Sequence, residues 1–123
     1  MATHELGDDE FREAYKNNDI VVLDFWAPWC GPCHQFAPVY EEASDKYGEM
    51  FFGKINTEEQ TGLSQYFGIR SIPTTIVIRD GIEVFRGSGV LGSEQLDQLL
   101  QQVQTLDMEE VKKKVAEEEE QHS

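Results

Sequence analysis

Positive charge is scarce in this chain. Ten Lys and Arg stand against 24 Asp and Glu, for a net charge of −14 over 123 residues. Such a balance argues against nucleic acid or an anionic membrane as a partner. Cysteine is almost absent, with two residues, and the three histidines are scattered at His4, His34 and His122. A closed set of metal ligands is hard to assemble from these, so no metal is expected. No apolar run approaches the ~18 residues of a membrane-crossing helix. The N-terminus, Met-Ala-Thr-His-Glu-Leu-Gly-Asp-Asp-Glu, has neither a basic n-region nor an apolar h-region, so no signal peptide is read and a cytoplasmic, reducing location is expected. No internal repeats are visible. The length suits a single domain.

What is present centres on residues 24–34. The apolar run Ile20-Val21-Val22-Leu23-Asp24-Phe25-Trp26 reads as a strand buried on both faces. Gly31 and Pro32 end it, and Phe36, Val39, Tyr40, Ala43 and Tyr47 then recur at helical spacing. Cys30 is therefore expected at the turn from strand to helix, with Pro32 in the first helical turn and Cys33 one turn in on the same side. First-turn N–H groups and the helix dipole stabilise an anion there, which lowers a thiol pKa. The thiolate is the attacking species in thiol–disulfide exchange. Cys30 is thus the candidate nucleophile, and Cys33 the thiol that resolves a mixed disulfide. Two intervening residues let an internal Cys30–Cys33 disulfide close without unwinding the helix start. A Cys-x-x-Cys pair is also half of many zinc sites, or two inert buried thiols. With no further cysteines, both are weaker readings.

The other elements follow in order. Asp8-Asp9-Glu10 opens a short helix bearing Phe11, Ala14 and Tyr15, with room before it for an edge strand. Asn17-Asn18-Asp19 is a turn. Pro38 should kink the long helix and Gly48 end it. Residues 50–56 read as a strand, parallel to the previous one in a right-handed βαβ unit. Thr57-Glu58-Glu59 reads as a helix cap ahead of Leu63, Tyr66 and Phe67. Residues 68–73 form a loop, 74–78 a β-branched strand, and Asp80-Gly81 a hairpin turn into 83–86. Leu96, Leu99, Leu100 and Val103 mark a last amphipathic helix. The pattern calls for an α/β fold with a mixed sheet and helices on both faces.

Asp24 stands out because all its strand neighbours are apolar. A buried carboxylate is costly, its pKa rises, and an acid kept there is a functional candidate. The competing reading is an acid at a strand edge with access to water.

Trp29-Cys30-Gly31-Pro32-Cys33 after an apolar strand carrying Asp24, followed by Gly-Ile-Arg-Ser-Ile-Pro-Thr at 68–74, resembles the thioredoxin family. The resemblance covers residues 1–104 and implies the thioredoxin fold and a protein-disulfide reductase that needs no bound cofactor. It implies that Asp24 lies behind Cys33 as general base or proton relay, with Lys54 as its neighbour on the adjacent strand. Ile72–Pro73 is then a cis bond packed against the cysteines, and the Ile72 backbone pairs with an extended substrate strand. Trp29, Gly31, Pro32, Ile72, Pro73, Gly89 and Val90 match the flat rim on which family members dock protein substrates. Trp26 is read as packing that shapes the site. The partners implied are protein disulfides and, as electron donor, a flavin-dependent thioredoxin reductase; the chain is expected to be a monomer.

The sequence also departs from the family's common pattern. Pro28 stands where many bacterial members carry an acid, and His34 where Lys or Arg often follows the second cysteine. Thr57 and Ser88 occupy rim positions that are often apolar. Gly-Pro between the cysteines resembles reducing members, which counts against an oxidase or isomerase. A third reading is a thioredoxin-fold interaction or chaperone module, which the joint presence of the cysteine pair, Asp24 and Pro73 opposes. Residues 105–123 form an acidic extension. Asp107 to Glu110 resembles a capping box, Met108, Val111 and Val115 give a thin apolar stripe, and Glu117 onward should fray.

Overall fold

The computed structural model describes residues 2–122. The chain alternates between strands and helices, as β1 (Thr3–Glu5), α1 (Asp8–Asn17), β2 (Ile20–Trp26), α2 (Gly31–Lys46), β3 (Phe51–Asn56), α3 (Thr61–Tyr66), β4 (Thr74–Arg79), β5 (Ile82–Ser88), α4 (Ser93–Thr105) and α5 (Met108–His122). The strands form one mixed sheet in the order β1-β3-β2-β4-β5. β3 runs parallel to β1 and β2, while β4 is antiparallel to β2 and β5. Ile20–Trp26 is the central strand because it is the most continuously apolar segment, and a central strand is covered on both faces.

Strand alternation divides β2 between two cores. Val21, Leu23 and Phe25 join Ile55, Ile76, Ile78, Leu63 and Phe67 on one face. Ile20 and Val22 join Phe52 and Val77 on the other, beneath Phe36 and Tyr40 of α2 and Leu96, Leu100 and Val103 of α4. Helices thus cover both faces. Asp24 and Trp26 follow Val22 at the strand period, so they lie on the face that α2 covers.

Several local details differ from the expectations. Thr57-Glu58-Glu59 is a turn, and α3 starts at Thr61 with Gln60 at its N-cap. The Asn56 side chain holds that turn, accepting from the Glu58 N–H at 3.0 Å and donating to the Glu59 carboxylate at 3.0 Å. α2 stops at Lys46 with Tyr47 as C-cap, so Gly48 stands just past the helix end, where a terminating glycine is expected. The Tyr47 ring is buried and its hydroxyl donates to the Asp97 carboxylate at 2.6 Å. Pro38 lies inside α2 without ending it.

The expected fraying from Glu117 is not seen, since α5 continues to His122. Lys113 and Lys114 stand four residues before Glu117 and Glu118, where opposite charges support a helix. The Glu110 N–H donates to Asp107 Oδ1 at 3.2 Å, as a cap does. Met108 is buried, and Lys112 Nζ lies 3.6 Å from Asp80 Oδ2. Arg79 closes α4 by donating to the carbonyls of Val103, Gln104 and Leu106. Asp80 and Gly81 both adopt positive φ, 52° and 78°, as a two-residue hairpin turn requires.

Candidate active site

Cys30 occupies the N-cap of α2, just past the end of β2. Its backbone is extended, at φ −88° and ψ 108°, and its sulfur accepts the Cys33 N–H at 3.2 Å. An orphan donor of the first turn is thus aimed at Cys30 Sγ, which is how a helix start favours negative charge on sulfur. Cys30 and Cys33 form a disulfide, with Cα atoms 5.3 Å apart. Both are largely buried against Ala27, Trp26 and Ile72. The Ile72–Pro73 bond is cis, and the Ile72 carbonyl oxygen lies 3.9 Å from Cys30 Sγ.

Short contacts shape the loop before the cysteines. The Cys30 N–H donates to the Ala27 carbonyl at 3.1 Å. His34 Nε2 donates to the Pro28 carbonyl at 2.7 Å, tying the loop to the first turn of α2. Trp29 is 69% exposed, yet its indole N–H donates to the Glu58 carboxylate. The sequence pattern shows neither contact: in it His34 stands out only as a departure from the Lys or Arg that often follows the second cysteine, and Glu58 reads as part of a cap. The partners in the Trp29–Glu58 pair are 29 residues apart, and no local pattern links them.

Of the residues matched to the family's docking rim, Trp29, Gly31, Pro32, Gly89 and Val90 are exposed, Ile72 is half-buried and Pro73 is buried. Gly89 has φ 99° and its N–H donates to the Pro73 carbonyl at 2.9 Å, which fixes the turn after β5 beside the cis-proline loop.

Asp24 is 1% exposed, and neither carboxylate oxygen has a hydrogen-bond partner. Burial pushes its pKa up to about 7; the Lys54 ammonium opposes the rise and the Glu5 carboxylate adds to it. Lys54 is directly in register with Asp24, and its ammonium sits 4.9 Å from the Trp26 ring centroid. On the other side Thr75 is in register with Asp24, and its buried hydroxyl is also unpartnered. A buried acid whose pKa is raised toward neutrality is suited to moving a proton at physiological pH. Among the described residues, no cluster of three or more His, Cys, Asp or Glu could hold a metal ion, and no helix is long and apolar enough to cross a membrane.

A disulfide closed across the first turn of a helix, beside a cis-proline loop on a mixed α/β sheet, defines a thiol–disulfide oxidoreductase site. Comparison with known proteins places it further. The thioredoxin family model matches residues 2–105. The chain is 46% identical over 116 residues to a putative thioredoxin 2 of Streptomyces coelicolor, covering 94% of this chain and 87% of that protein. It is 38% identical over 99 residues to the thioredoxin of Haemophilus influenzae, covering 79% of this chain and 92% of that one. Among solved structures, the thioredoxin of Malassezia sympodialis superposes with a TM-score of 0.74 at 30% identity, covering 83% of this chain and 93% of that one. The chain belongs to the thioredoxin family. It is a thiol–disulfide reductase whose redox-active pair is Cys30–Cys33; proteins of this family act on protein disulfides and are re-reduced by a thioredoxin reductase.

Proposed function

We propose that the reductase cycle runs through named groups as follows. With the pair reduced, the Cys30 thiolate attacks one sulfur of a substrate disulfide; the S–S bond breaks and the substrate's other sulfur leaves as a thiolate. Asp24 takes the proton from Cys33. The Cys33 thiolate then attacks Cys30 Sγ, forming the intramolecular disulfide and releasing the substrate's second thiol. Lys54 stabilises the Asp24 carboxylate after it loses a proton. Two electrons from an external donor, a flavin-dependent thioredoxin reductase, restore the dithiol.

The substrate docks on Trp29, Gly31, Pro32, Ile72, Pro73, Gly89 and Val90, with its backbone paired to Ile72. Glu58 holds the Trp29 indole as the edge of that surface. The protein acts as a monomer in a reducing cytoplasm. Residues 1–104 form the catalytic domain, and the acidic extension is a solvated helix. The observation that carries this reading is the placement of Cys30 at the helix N-cap, with the unpartnered Asp24 carboxylate buried on the sheet face that α2 covers.

The test is reduction of a protein disulfide with dithiothreitol as donor. Wild type accelerates it, Cys30→Ser does not, and Cys33→Ser accumulates a mixed disulfide through Cys30. Wild-type turnover no faster than dithiothreitol alone refutes the reading. The interaction-module alternative has no observation in its favour.

A further inference from the structure

We propose that Glu5 is a positioning residue for the reductase chemistry, the outer carboxylate of an acid–base–acid row that shares Lys54 with Asp24 and so sets the pH range over which Asp24 exchanges its proton. This rests on the reading of Asp24 as the proton relay.

The row follows from strand register. Lys54 of β3 is paired with Glu5 of β1 on one side and with Asp24 of β2 on the other. Residues in register on adjacent strands share a face. Their sequence neighbours confirm which face it is, because Leu6 and Leu23 lie together in the opposite core. Three ionisable groups therefore stand side by side across three strands, with alternating charge sign.

Burial grades along the row. Asp24 is fully buried, Lys54 half-buried and Glu5 exposed. The row thus leads from the reactive interior to solvent. It opens on a cleft of about 580 Å³ lined by Glu5, Trp26, Pro28 and Glu59 among others, which joins the loop before the cysteines to the outer edge of the sheet. Trp26 forms its inner wall. Its buried indole N–H faces Glu5 without completing a hydrogen bond, and its ring carries the Lys54 ammonium. Lys54 is therefore held between two acids and an aromatic face, without committing to Asp24 alone.

The groups facing Asp24 are Lys54 from β3, Glu5 from β1, the Tyr40 phenol from α2 and the neutral Thr75 hydroxyl from β4; Glu59 faces Glu5 from the turn after β3. Of these, Lys54 favours the ionised Asp24 and Glu5 opposes it. Neutralising Glu5 removes a like charge and also leaves the ammonium to Asp24. Both changes act in the same direction. Across two strand spacings, roughly 10 Å, a partly screened unit charge is expected to move a buried carboxyl by about half a pH unit.

The experiment follows the Asp24 carboxyl carbon by NMR titration in the oxidised, full-length protein, for wild type, Glu5→Gln, Glu5→Lys and Glu5→Asp. The pH profile of mixed-disulfide resolution is measured on the same proteins and on Asp24→Asn. The Asp24 midpoint should fall by about half a unit in Glu5→Gln and further in Glu5→Lys, and stay near wild type in Glu5→Asp, with the resolution profile moving in step. A purely structural role for Glu5 changes thermal stability but leaves the midpoint in place. If the midpoint is unmoved in Glu5→Gln and Glu5→Lys while Asp24→Asn abolishes the inflection of the profile, the role of Glu5 is overturned and the relay stands. If Asp24→Asn keeps the wild-type profile, the relay fails, and the role of Glu5 in the chemistry fails with it.

Discussion

The two faces of β2 are built from alternate residues of one seven-residue strand, and they do opposite things. Val21, Leu23 and Phe25 face a core that is apolar throughout. Ile20 and Val22 begin the other face in the same way, but Asp24 and Trp26 end it with buried polar atoms that have no partners. The first face supplies stability. The second gives some of it up to hold a buried carboxyl without a hydrogen-bond partner. A single residue in a strand of period two is enough to separate the roles, because neighbouring side chains never share an environment.

Asp24→Asn tests that contrast with the largest expected effect. An unfolded Asp24 titrates near the usual 3.8 and the folded one near 7. Between those values the native state keeps a proton that the unfolded chain loses. The contribution of Asp24 to wild-type stability therefore declines as pH rises from about 4 to about 7, then levels off. Asn removes this decline, and at pH 8 the variant should be more stable by up to about 4 kcal/mol, read from denaturant melts across pH. A variant less stable than wild type at pH 8 breaks the comparison.

Leu23→Ala, one residue away on the other face, should have the opposite sign. Leu23 is fully buried, and its truncation should cost about 3 kcal/mol at every pH, with little pH dependence in the loss. Gly81→Ala touches neither face. At φ 78°, and with an added Cβ only 2.9 Å from the Tyr15 hydroxyl, it should cost about 1–2 kcal/mol while leaving the pH dependence of stability intact. The smallest effect is expected from deleting residues 107–123. Exposing the ground beneath Met108 and losing the Lys112–Asp80 ion pair should cost about 1–2 kcal/mol, with turnover of a protein disulfide unchanged. Lower turnover in the truncated protein ties the extension to the reactive face.

The fold was legible wherever periodicity and turn chemistry agree. The central strand, the long helix after Cys30, the Asp80-Gly81 hairpin and the final amphipathic helix lie where hydrophobic spacing places them. Legibility failed at element ends. Thr57-Glu58-Glu59 has the composition of a cap but is held as a turn by the Asn56 side chain. There a side-chain contact overrides a local preference worth only a fraction of a kcal/mol to about 1 kcal/mol.

By itself, the sequence determined two parts of the site: a dithiol at a helix start and an acid in an otherwise apolar strand. Residue type and spacing suffice for these because helix and strand periods are local properties of the backbone; that the proline loop stands beside the cysteines followed only from the resemblance to the thioredoxin family. Only the tertiary structure decided which groups meet across the chain. It joined Trp29 to Glu58 and His34 to Pro28, and it aligned Glu5, Lys54 and Asp24 in one row. Those pairings depend on strand register and loop closure, which the packing of both cores sets and no short stretch of sequence encodes.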